Sequence, residues 1–518
     1  MTRAATRSLT GDAGLAILIF ALATLIAALV IRPFHVGAVG SDTASTVLYF
    51  DRIASGQRLE VFLGTTPKPF LTFVYGPLYA LTHDWRAISW LAIVVFGSGV
   101  AAATVLVRRE TRSLVGTVFV ATALLASAGL LRDASLAYGG SWCLLAWAVA
   151  GLAVTAPRPR YAVAGIALAV GGLIRPESLL IVGAAGIALA VAALAARRGR
   201  LTAPPSGAWW ILIGLAAIPL AGLHDVVLAG DPFYSLRVPV LGTDIRPAQT
   251  SAAAFGVIRA HLVSLAPLGA LAVVGLAVLA VRRRWPLLIG LLAIGPGVAI
   301  LVLGLAARRV FVLDRYLLPV DLAVIVAAGV GLAALSVPVV AAAIRLDRRT
   351  TAALGVGLAA GVALALGPTI GPLDRTLLAD IGADRTVVGN LAAAAPTLDR
   401  ALDAIPDARA RPARADPTAI PGGRPAILLV PARVLPMAAV ELDLTLDRVV
   451  RSQPQLMSPD GTWPAPGQLV LHDGTIDSPA AGLGFLEVDQ PSSSGRIRVI
   501  PLSADVGRQL WVLRIESP

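Results

Sequence analysis

Long apolar runs set the strongest constraint on what this chain can fold into. A helix needs about 20 apolar residues to cross roughly 30 Å of hydrocarbon, and such runs follow one another from residue 13 to residue 367. Charged residues make up only 14% of the chain, against about 25% in an average soluble protein. The runs are 13–31, 87–107, 114–131, 141–156, 161–174, 178–196, 208–229, 263–281, 286–306, 317–343 and 351–367. The sequence therefore predicts an all-α polytopic membrane bundle with about 11 transmembrane helices.

Two of these runs allow a second interpretation. Run 161–174 is short for a span, so we expect it to be tilted, kinked or extended by its neighbours. Run 13–31 follows Arg3 and Arg7 and resembles a signal peptide, but its apolar stretch is longer than a typical signal core. An uncleaved anchor is the favoured interpretation of the first run.

Arginine clusters between alternate runs predict the sidedness of the chain. Basic residues near span ends stay on the cytoplasmic side. The clusters are Arg3 and Arg7; Arg108, Arg109 and Arg112; Arg158 and Arg160; Arg197, Arg198 and Arg200; Arg282 to Arg284; and Arg345, Arg348 and Arg349. Every alternation agrees, so the amino terminus is predicted to be cytoplasmic and the carboxy-terminal tail extracytoplasmic.

The net charge of +12 does not indicate nucleic-acid binding, because the arginines flank the apolar runs and do not form one soluble face. Lys68 is the only lysine in the chain, which indicates a G+C-rich genome and a bacterial plasma membrane. Cys143 is the only cysteine, so a disulfide within the chain is excluded. The five histidines have no metal-ligand spacing.

The outer segment 32–86 is too long for a simple connector. Thr43 to Ala54 is predicted to form an amphipathic helix, with Ser41 or Asp42 as its N-cap. Phe70 to Leu81 is apolar and aromatic but contains Pro77, so it is predicted to lie along the membrane interface.

The sequence divides into a transmembrane domain, 1–367, and an extracytoplasmic domain, 368–518. The second part contains a helical stretch near Val387 to Ile405. Short strand-like runs separated by turn signals follow: Ala426 to Val430, Gln468 to His472, Arg496 to Ile500 and Leu510 to Ile515. A small α+β domain is predicted.

Two carboxylates in the first outer segment are candidates for chemistry. Asp42 and Asp51 are nine residues apart, which places them on opposite faces of a helix and argues against a dyad. For Asp42 the structural alternative is a helix N-cap. For Asp51 a solvated helix residue is favoured over a second catalytic acid.

Basic and aromatic residues gather in the other outward segments. They are Lys68 in TTPKPF, Arg175 and Glu177 in RPES, Asp231, Tyr234 and Arg237 in AGDPFYSLR, and Arg308, Arg309, Asp314, Arg315 and Tyr316 in RRVFVLDRYLLPV. Singly, each arginine could be an interfacial residue that snorkels to the headgroups. Together they suit a phosphate, which arginine binds bidentately.

These segments resemble the GT-C superfamily of membrane glycosyltransferases, which includes the protein O-mannosyltransferases and the aminoarabinose transferases. SDTASTVLYFDRIASGQ resembles the acidic motif of the family's first outer loop, and TTPKPFLTFVYGPLYAL resembles its Lys/His-Pro-Pro segment. GGLIRPESLL, AGDPFYSL and DRYLLPV resemble segments of bacterial members. Thr43 stands where a second acid is common, and Phe70 replaces the second proline. The likeness covers roughly residues 40–320.

The resemblance implies a polyprenyl-phosphate-linked sugar donor that lies among the membrane lipids, and an extracytoplasmic acceptor that is a glycan, a lipid or a protein. Asp42 is then the candidate general base of an inverting displacement. Lys68, Arg175, Arg237 and Arg315 are candidates for the donor phosphate, and Asp51, Glu177, Tyr234 and Tyr316 are possible further site residues. A divalent metal is possible, but no residue pattern supports one.

Two other functions stay open from the sequence. A transporter or lipid flippase would place ionisable residues near the midplane, whereas here most lie at helix ends and Asp225 is the deepest. A noncatalytic membrane scaffold would use the tail to bind a partner. In the glycosyltransferase interpretation, the tail helps to bind or orient the acceptor.

Overall fold

The structure is a computed structural model. It describes residues 3–35, 39–60, 63, 65–198, 203–241, 250–307, 312, 316–342, 357, 359–362, 375–410, 427–430, 435–446, 448–451, 467–472, 498–505 and 510–516.

Helices make up most of the described chain. They are α1 Arg3–His35, α2 Ser41–Ala54, α3 Pro69–Thr82, α4 Trp85–Thr111, α5 Leu114–Ala126, α6 Ala128–Ser135, α7 Gly140–Val154, α8 Tyr161–Ile174, α9 Ser178–Arg197, a 3-10 helix Ser206–Ala216, α10 Ala217–Ala229, α11 Tyr234–Leu241, α12 Ser251–Ser264, α13 Ala266–Val281, α14 Trp285–Ala307, α15 Leu318–Ala342, α16 Arg375–Asp403 and α17 Leu435–Glu441.

The chain divides into two compact units. The bundle unit comprises Met1–Pro33, Ser89–Ala221 and Thr243–Leu378, and the loop–tail unit comprises Phe34–Ile88, Gly222–Gly242 and Ala379–Pro518. Most of the first outer segment thus shares a unit with the tail. The domains 1–367 and 368–518 stay a prediction.

Several helices are long and apolar enough to span a bilayer, as the apolar runs predicted. Among the described residues there are five, or up to seven if each of two bent helix pairs counts as one span. The α12–α13 pair bends by 66° and the α5–α6 pair by 59°. The chain is a multi-pass membrane protein. The count of eleven stays a prediction, since most of run 351–367 lies outside the described residues.

Glycines allow two helices of the bundle unit, α13 and α15, to approach each other closely. A Cβ atom on Gly275 of α13 would overlap the carbonyl oxygen of Ala327 on α15, and one on Gly331 of α15 would overlap the carbonyl oxygen of Leu271. Small residues let membrane helices approach closely, because the hydrophobic effect does not drive their association inside lipid. These glycines therefore fix how α13 and α15 pack.

A mixed five-stranded sheet forms part of the loop–tail unit. Its order is β2-β1-β3-β5-β4, with strands β1 Leu428–Val430, β2 Val449–Arg451, β3 Leu469–His472, β4 Arg498–Asp505 and β5 Leu510–Glu516. Strand β1 pairs in parallel with β2 and β3, and β5 pairs antiparallel with β3 and β4. Four of the strands overlap the predicted strand-like runs, although β4 continues to Asp505, five residues beyond its run. Strand β2 is only three residues long and had no recognisable pattern.

Candidate active site

A polar stripe on helix α2 organises the candidate site. Asp42, Ser45, Tyr49 and Arg52 are spaced by three, four and three residues, so they lie on one face of the helix. Ser45, Tyr49 and Arg52 are buried. An apolar stripe would be expected on a buried helix face. The polar side chains of this stripe therefore need hydrogen-bond or ion-pair partners.

The partners come from the segment that follows α2, in reverse order. Arg52 Nε lies 2.8 Å from Glu60 Oε1. The Tyr49 hydroxyl donates to the Thr65 carbonyl oxygen at 2.6 Å, and Lys68 Nζ lies 3.5 Å from Asp42 Oδ2. The segment therefore returns antiparallel to α2 and places Lys68 beside Asp42.

Asp42 is not the N-cap of α2, which corrects the structural alternative offered for it. The helix begins at Ser41 and its N-cap is Gly40, which makes no side-chain capping hydrogen bond. Asp42 lies in the first turn of α2, where its negative charge interacts favourably with the helix dipole. Its side chain is 21% exposed and that of Lys68 is 17% exposed. Solvent can therefore reach the pair.

Helices α10 and α11 bring a second set of polar groups into the loop–tail unit. The Leu59 N–H donates to the Leu228 carbonyl oxygen at 3.0 Å, which fixes the first outer segment against α10. Asp225 Oδ2 accepts from the Ser235 N–H at 2.7 Å, and Asp225 Oδ1 accepts from the Ser235 hydroxyl at 2.7 Å. Asp225 thus closes the corner between the two helices.

Two buried tyrosines lie near these carboxylates. Burial raises the pKa of Tyr49. Electrostatic interactions with Tyr234, Asp42 and Asp225 raise this pKa further. Burial, with Asp225 second, also raises the pKa of Tyr234. Both phenols are therefore neutral hydrogen-bond donors at physiological pH. Tyr234 is fully buried, so it supports the site from within.

Asp51 and Arg237 lie at the surface of the same unit. The Asp51 side chain is 49% exposed and pairs with Arg52, which agrees with its interpretation as a solvated helix residue. The Arg237 side chain is 61% exposed, and its Nη1 lies 2.9 Å from Asp231 Oδ2. An exposed guanidinium of this kind is accessible to an anionic ligand.

The other predicted site residues belong to the bundle unit or to segments that are not described. Arg175 lies between α8 and α9, and its Nη2 donates to Glu177 Oε1 at 3.0 Å. Tyr316 packs half-buried against the core of the bundle. Arg308, Arg309, Asp314 and Arg315 lie outside the described residues.

Sequence reasoning missed Asp133 and His224. Asp133 is a buried residue of α6. Its Oδ2 accepts from the N–H of Ser141 at the start of α7 at 3.1 Å, and it interacts electrostatically with Arg175. His224 Nδ1 lies 3.4 Å from Asp225 Oδ1, and its buried Nε2 has no hydrogen-bond partner in this structure. An acid in the nine-residue segment 132–140 between two apolar runs is the sequence signal by which Asp133 could have been found.

The described residues contain no group of three or more His, Cys, Asp and Glu side chains positioned to hold a metal ion. The polar groups shown beside Asp42 are the ammonium of Lys68 and the phenol of Tyr49. Such a set is suited to proton transfer and to binding an anion.

The sequence matches no protein-family model and no curated protein. Solved structures do match. The crystal structure of ArnT from Cupriavidus metallidurans bound to undecaprenyl phosphate has a TM-score of 0.55 at 13% identity, and the match covers 96% of this chain and 97% of that chain. The apo structure of the same ArnT gives a TM-score of 0.50 at 15% identity, with 98% of each chain covered. The chain has the GT-C fold.

The GT-C fold confirms the resemblance predicted from the outer-segment motifs, and the match also includes the tail, which those motifs left out. An oligosaccharyltransferase from Archaeoglobus fulgidus, tethered with an acceptor peptide, is similar over 86% of this chain and 64% of that chain, at 13% identity and a TM-score of 0.46.

Proposed function

We propose that this GT-C chain is a membrane glycosyltransferase. It moves a sugar from a polyprenyl-phosphate donor to an acceptor hydroxyl outside the cytoplasm, by direct displacement that inverts the anomeric centre. The observation that carries the proposal is the Asp42–Lys68 pair, a carboxylate and an ammonium 3.5 Å apart and both partly exposed. The GT-C fold supports it, since the similar ArnT structure is bound to undecaprenyl phosphate.

In the proposed reaction Asp42 is the general base. Its carboxylate takes the proton of the acceptor hydroxyl while that oxygen forms a bond to the anomeric carbon. The bond from this carbon to the phosphate oxygen breaks, and polyprenyl phosphate leaves with the electron pair. The proton on Asp42 then passes to water.

Cations stabilise the charge that develops on the leaving phosphate. The proposal gives this role to Lys68, which lies beside Asp42, and to Arg237, which presents an exposed guanidinium in the same unit. Arg175 and Arg315 keep the same role as predictions from the sequence. Donor phosphate competes with Asp42 for Lys68, because both anions bind the same ammonium. A carboxylate released from its cation is a stronger base, so donor binding prepares Asp42 for proton transfer.

The positive-inside pattern supports a cytoplasmic amino terminus and an extracytoplasmic site in a bacterial plasma membrane. The tail is proposed to orient the acceptor, which is a glycan, a lipid or a protein. Its grouping with the first outer segment in one compact unit supports this role.

Direct assay of the purified full chain tests the proposal. The protein in nanodiscs is incubated with a panel of polyprenyl-phosphate sugars, and sugar release or transfer is followed by mass spectrometry. We expect turnover with at least one donor, and a product whose anomeric configuration is opposite to that of the donor. A product with retained configuration would contradict direct displacement, and a chain that uses no polyprenyl-linked donor would contradict the function.

A further inference from the structure

The bundle unit contains a large apolar cavity within the predicted membrane region. Its volume is about 630 Å³, within the range of about 300–1,000 Å³ that is usual for ligand sites. The wall comes from α4, α7, α8, α9, α14, α15 and the 3-10 helix, and includes Leu106, Trp147, Tyr161, Val191, Trp285 and Val326. Water would find few hydrogen-bond partners on such a wall, so the contents must be apolar.

The cavity has the depth of one membrane leaflet. On α14 its lining extends from Trp285 to Ile294, and on α7 it extends from Leu144 to Val154. At a rise of 1.5 Å per residue, these stretches are each about 14–15 Å long. Half of a hydrocarbon core about 30 Å thick has the same length. A single acyl chain entering from one leaflet therefore matches this space.

The rim of the cavity lies at the basic end of the bundle unit. Tyr161 directly follows Arg160, and Trp285 directly follows Arg284. Trp285 is exposed, as are Trp209 and Trp210 of the 3-10 helix that contributes to the wall. Tryptophan and arginine are the residues that anchor helices at the headgroup level. This end of the cavity thus lies where lipid headgroups are found.

Positive charge prevails at this rim. The described segments that follow or precede its wall helices, 108–113, 157–160, 197–198, 203–205 and 282–284, contain many arginines and a single acid, Glu110. Glu110 Oε2 pairs with Arg284 Nε at 3.0 Å, which neutralises one charge. Arg158, Arg160, Arg197 and Arg282 of these segments are exposed. A phosphate group is the natural partner of such a cluster, because guanidinium groups bind phosphate oxygens bidentately.

From the depth, the apolar wall and the charge at the rim, we infer that this cavity binds one anionic glycerophospholipid of the cytoplasmic leaflet. An acyl chain fills the space between α7, α9 and α14, and the phosphodiester headgroup lies among the arginines beside Tyr161 and Trp285. The lipid is a resident ligand that packs the bundle. It is distinct from the proposed donor, whose phosphate belongs at the opposite, extracytoplasmic side.

Gly290 of α14 offers a direct way to fill the cavity. It lines the space, and a Cβ atom added there meets nothing within 4 Å. Gly304 is the matched control, because it lies on the same helix, outside the lining, and is equally open. Replacing either glycine by phenylalanine changes the helix in the same way, but only Gly290→Phe occupies the acyl-chain space.

Lipid titration by native mass spectrometry tests the inference on the detergent-purified full chain. We expect one phosphatidylglycerol to bind with about tenfold preference over phosphatidylethanolamine, a ratio that corresponds to one good charge contact. Gly290→Phe should abolish this binding, Gly304→Phe should leave it intact, and Arg160→Gln should reduce the preference. Equal binding by the two phenylalanine variants would overturn the inference. So would equal binding of the two phospholipids, or displacement of phosphatidylglycerol by undecaprenyl phosphate.

Fluorescence quenching is a second test of the inference, and it does not depend on whether Gly290→Phe folds. Trp147 lines the cavity, and its N–H donates to the Ser178 hydroxyl at 2.8 Å. Phosphatidylglycerol brominated on its acyl chain should quench a component of the tryptophan emission that is missing in Trp147→Phe. Quenching that is the same in both proteins would contradict an acyl chain in the cavity. The readout is lipid binding, so it does not depend on glycosyltransferase activity.

Discussion

The guanidinium of Arg52 donates through Nη2 to the main-chain carbonyl of Leu444 at 2.9 Å, across 392 residues of sequence. Arg52 is 1% exposed and also lies 2.8 Å from Glu60. The helix that carries Asp42 is thereby fastened to the tail inside the loop–tail unit. Glu441 adds to the connection, since Oε1 accepts from both the Tyr79 hydroxyl and the Trp85 N–H at 2.7 Å.

Removing Arg52 should destabilise the loop–tail unit. In Arg52→Leu the buried carboxylate of Glu60 loses its cation, and breaking a buried ion pair from one side costs about 3–5 kcal/mol. We expect a clear fall in the thermal midpoint of the purified protein. The double variant Arg52→Leu, Glu60→Leu should recover part of the loss, because no charge is then left buried. A double variant less stable than the single one would show that Glu60 is not the partner that matters.

The buried tyrosines predict a loss of stability at alkaline pH. Burial and the hydrogen bond to Glu441 raise the pKa of Tyr79 above its usual range, and burial does the same for Tyr49 and Tyr234. A phenol whose pKa is raised in the folded state stabilises the fold below its unfolded value of about 10, and that contribution is lost as the pH rises through the folded value.

Thermal unfolding from pH 8 to pH 12 measures this effect. The midpoint should be insensitive to these phenols up to about pH 10 and should then fall. Tyr79→Phe should start from a lower midpoint, because it loses the Glu441 hydrogen bond, but should fall less steeply. If the thermal midpoint fell equally steeply with pH in wild type and in Tyr79→Phe, the assignment of a raised pKa to Tyr79 in the folded state would be contradicted.

The sequence predicted the membrane class and the GT-C fold, since apolar periodicity and motif order are local signals. The catalytic role of Asp42 and the phosphate-binding role of Lys68 stay predictions, although the two side chains lie 3.5 Å apart. It did not predict the contact of Arg52 with Leu444 or the role of Glu441. Pairings between such distant residues depend on tertiary packing, which no spacing rule encodes. The N-cap predicted at Ser41 or Asp42 was wrong for a related reason. Gly40 takes the capping position, and the side chain of Asp42 turns instead toward Lys68.

Basic residues proposed to bind the donor phosphate should affect donor affinity. Lys68→Gln, Arg175→Gln, Arg237→Gln and Arg315→Gln are each expected to lower kcat/KM by about tenfold or more, since one charge-assisted hydrogen bond contributes about 1.5–3 kcal/mol. Steady-state kinetics with varied donor concentration gives this number.

Arg86→Gln is a suitable control for these variants, because Arg86 is exposed in the same outer segment and has no assigned role. A variant that matches Arg86→Gln in kcat/KM would remove that residue from the phosphate site. Lys68→Arg should retain more activity than Lys68→Gln, because the positive charge is kept.

Cysteine accessibility tests the predicted sidedness. In a Cys143→Ala background, Ser55→Cys reports on the exposed end of α2 and Arg283→Cys reports on a basic connection between α13 and α14. In intact cells a membrane-impermeant maleimide should label position 55 and should label position 283 only after lysis. The reverse pattern would place Asp42 on the cytoplasmic side and contradict the extracytoplasmic site.

The central claim is that Asp42 is the general base, and Asp42→Asn tests it most directly. The amide keeps the size of the side chain but cannot take a proton, so transfer should fall by about 10²–10⁴-fold, while the thermal midpoint and donor binding are maintained. Asp84→Asn, an exposed aspartate of the same segment, is the matched control. We predict that sugar transfer by purified Asp42→Asn is reduced to this extent and that Asp84→Asn is as active as wild type. Full activity of Asp42→Asn would contradict the account.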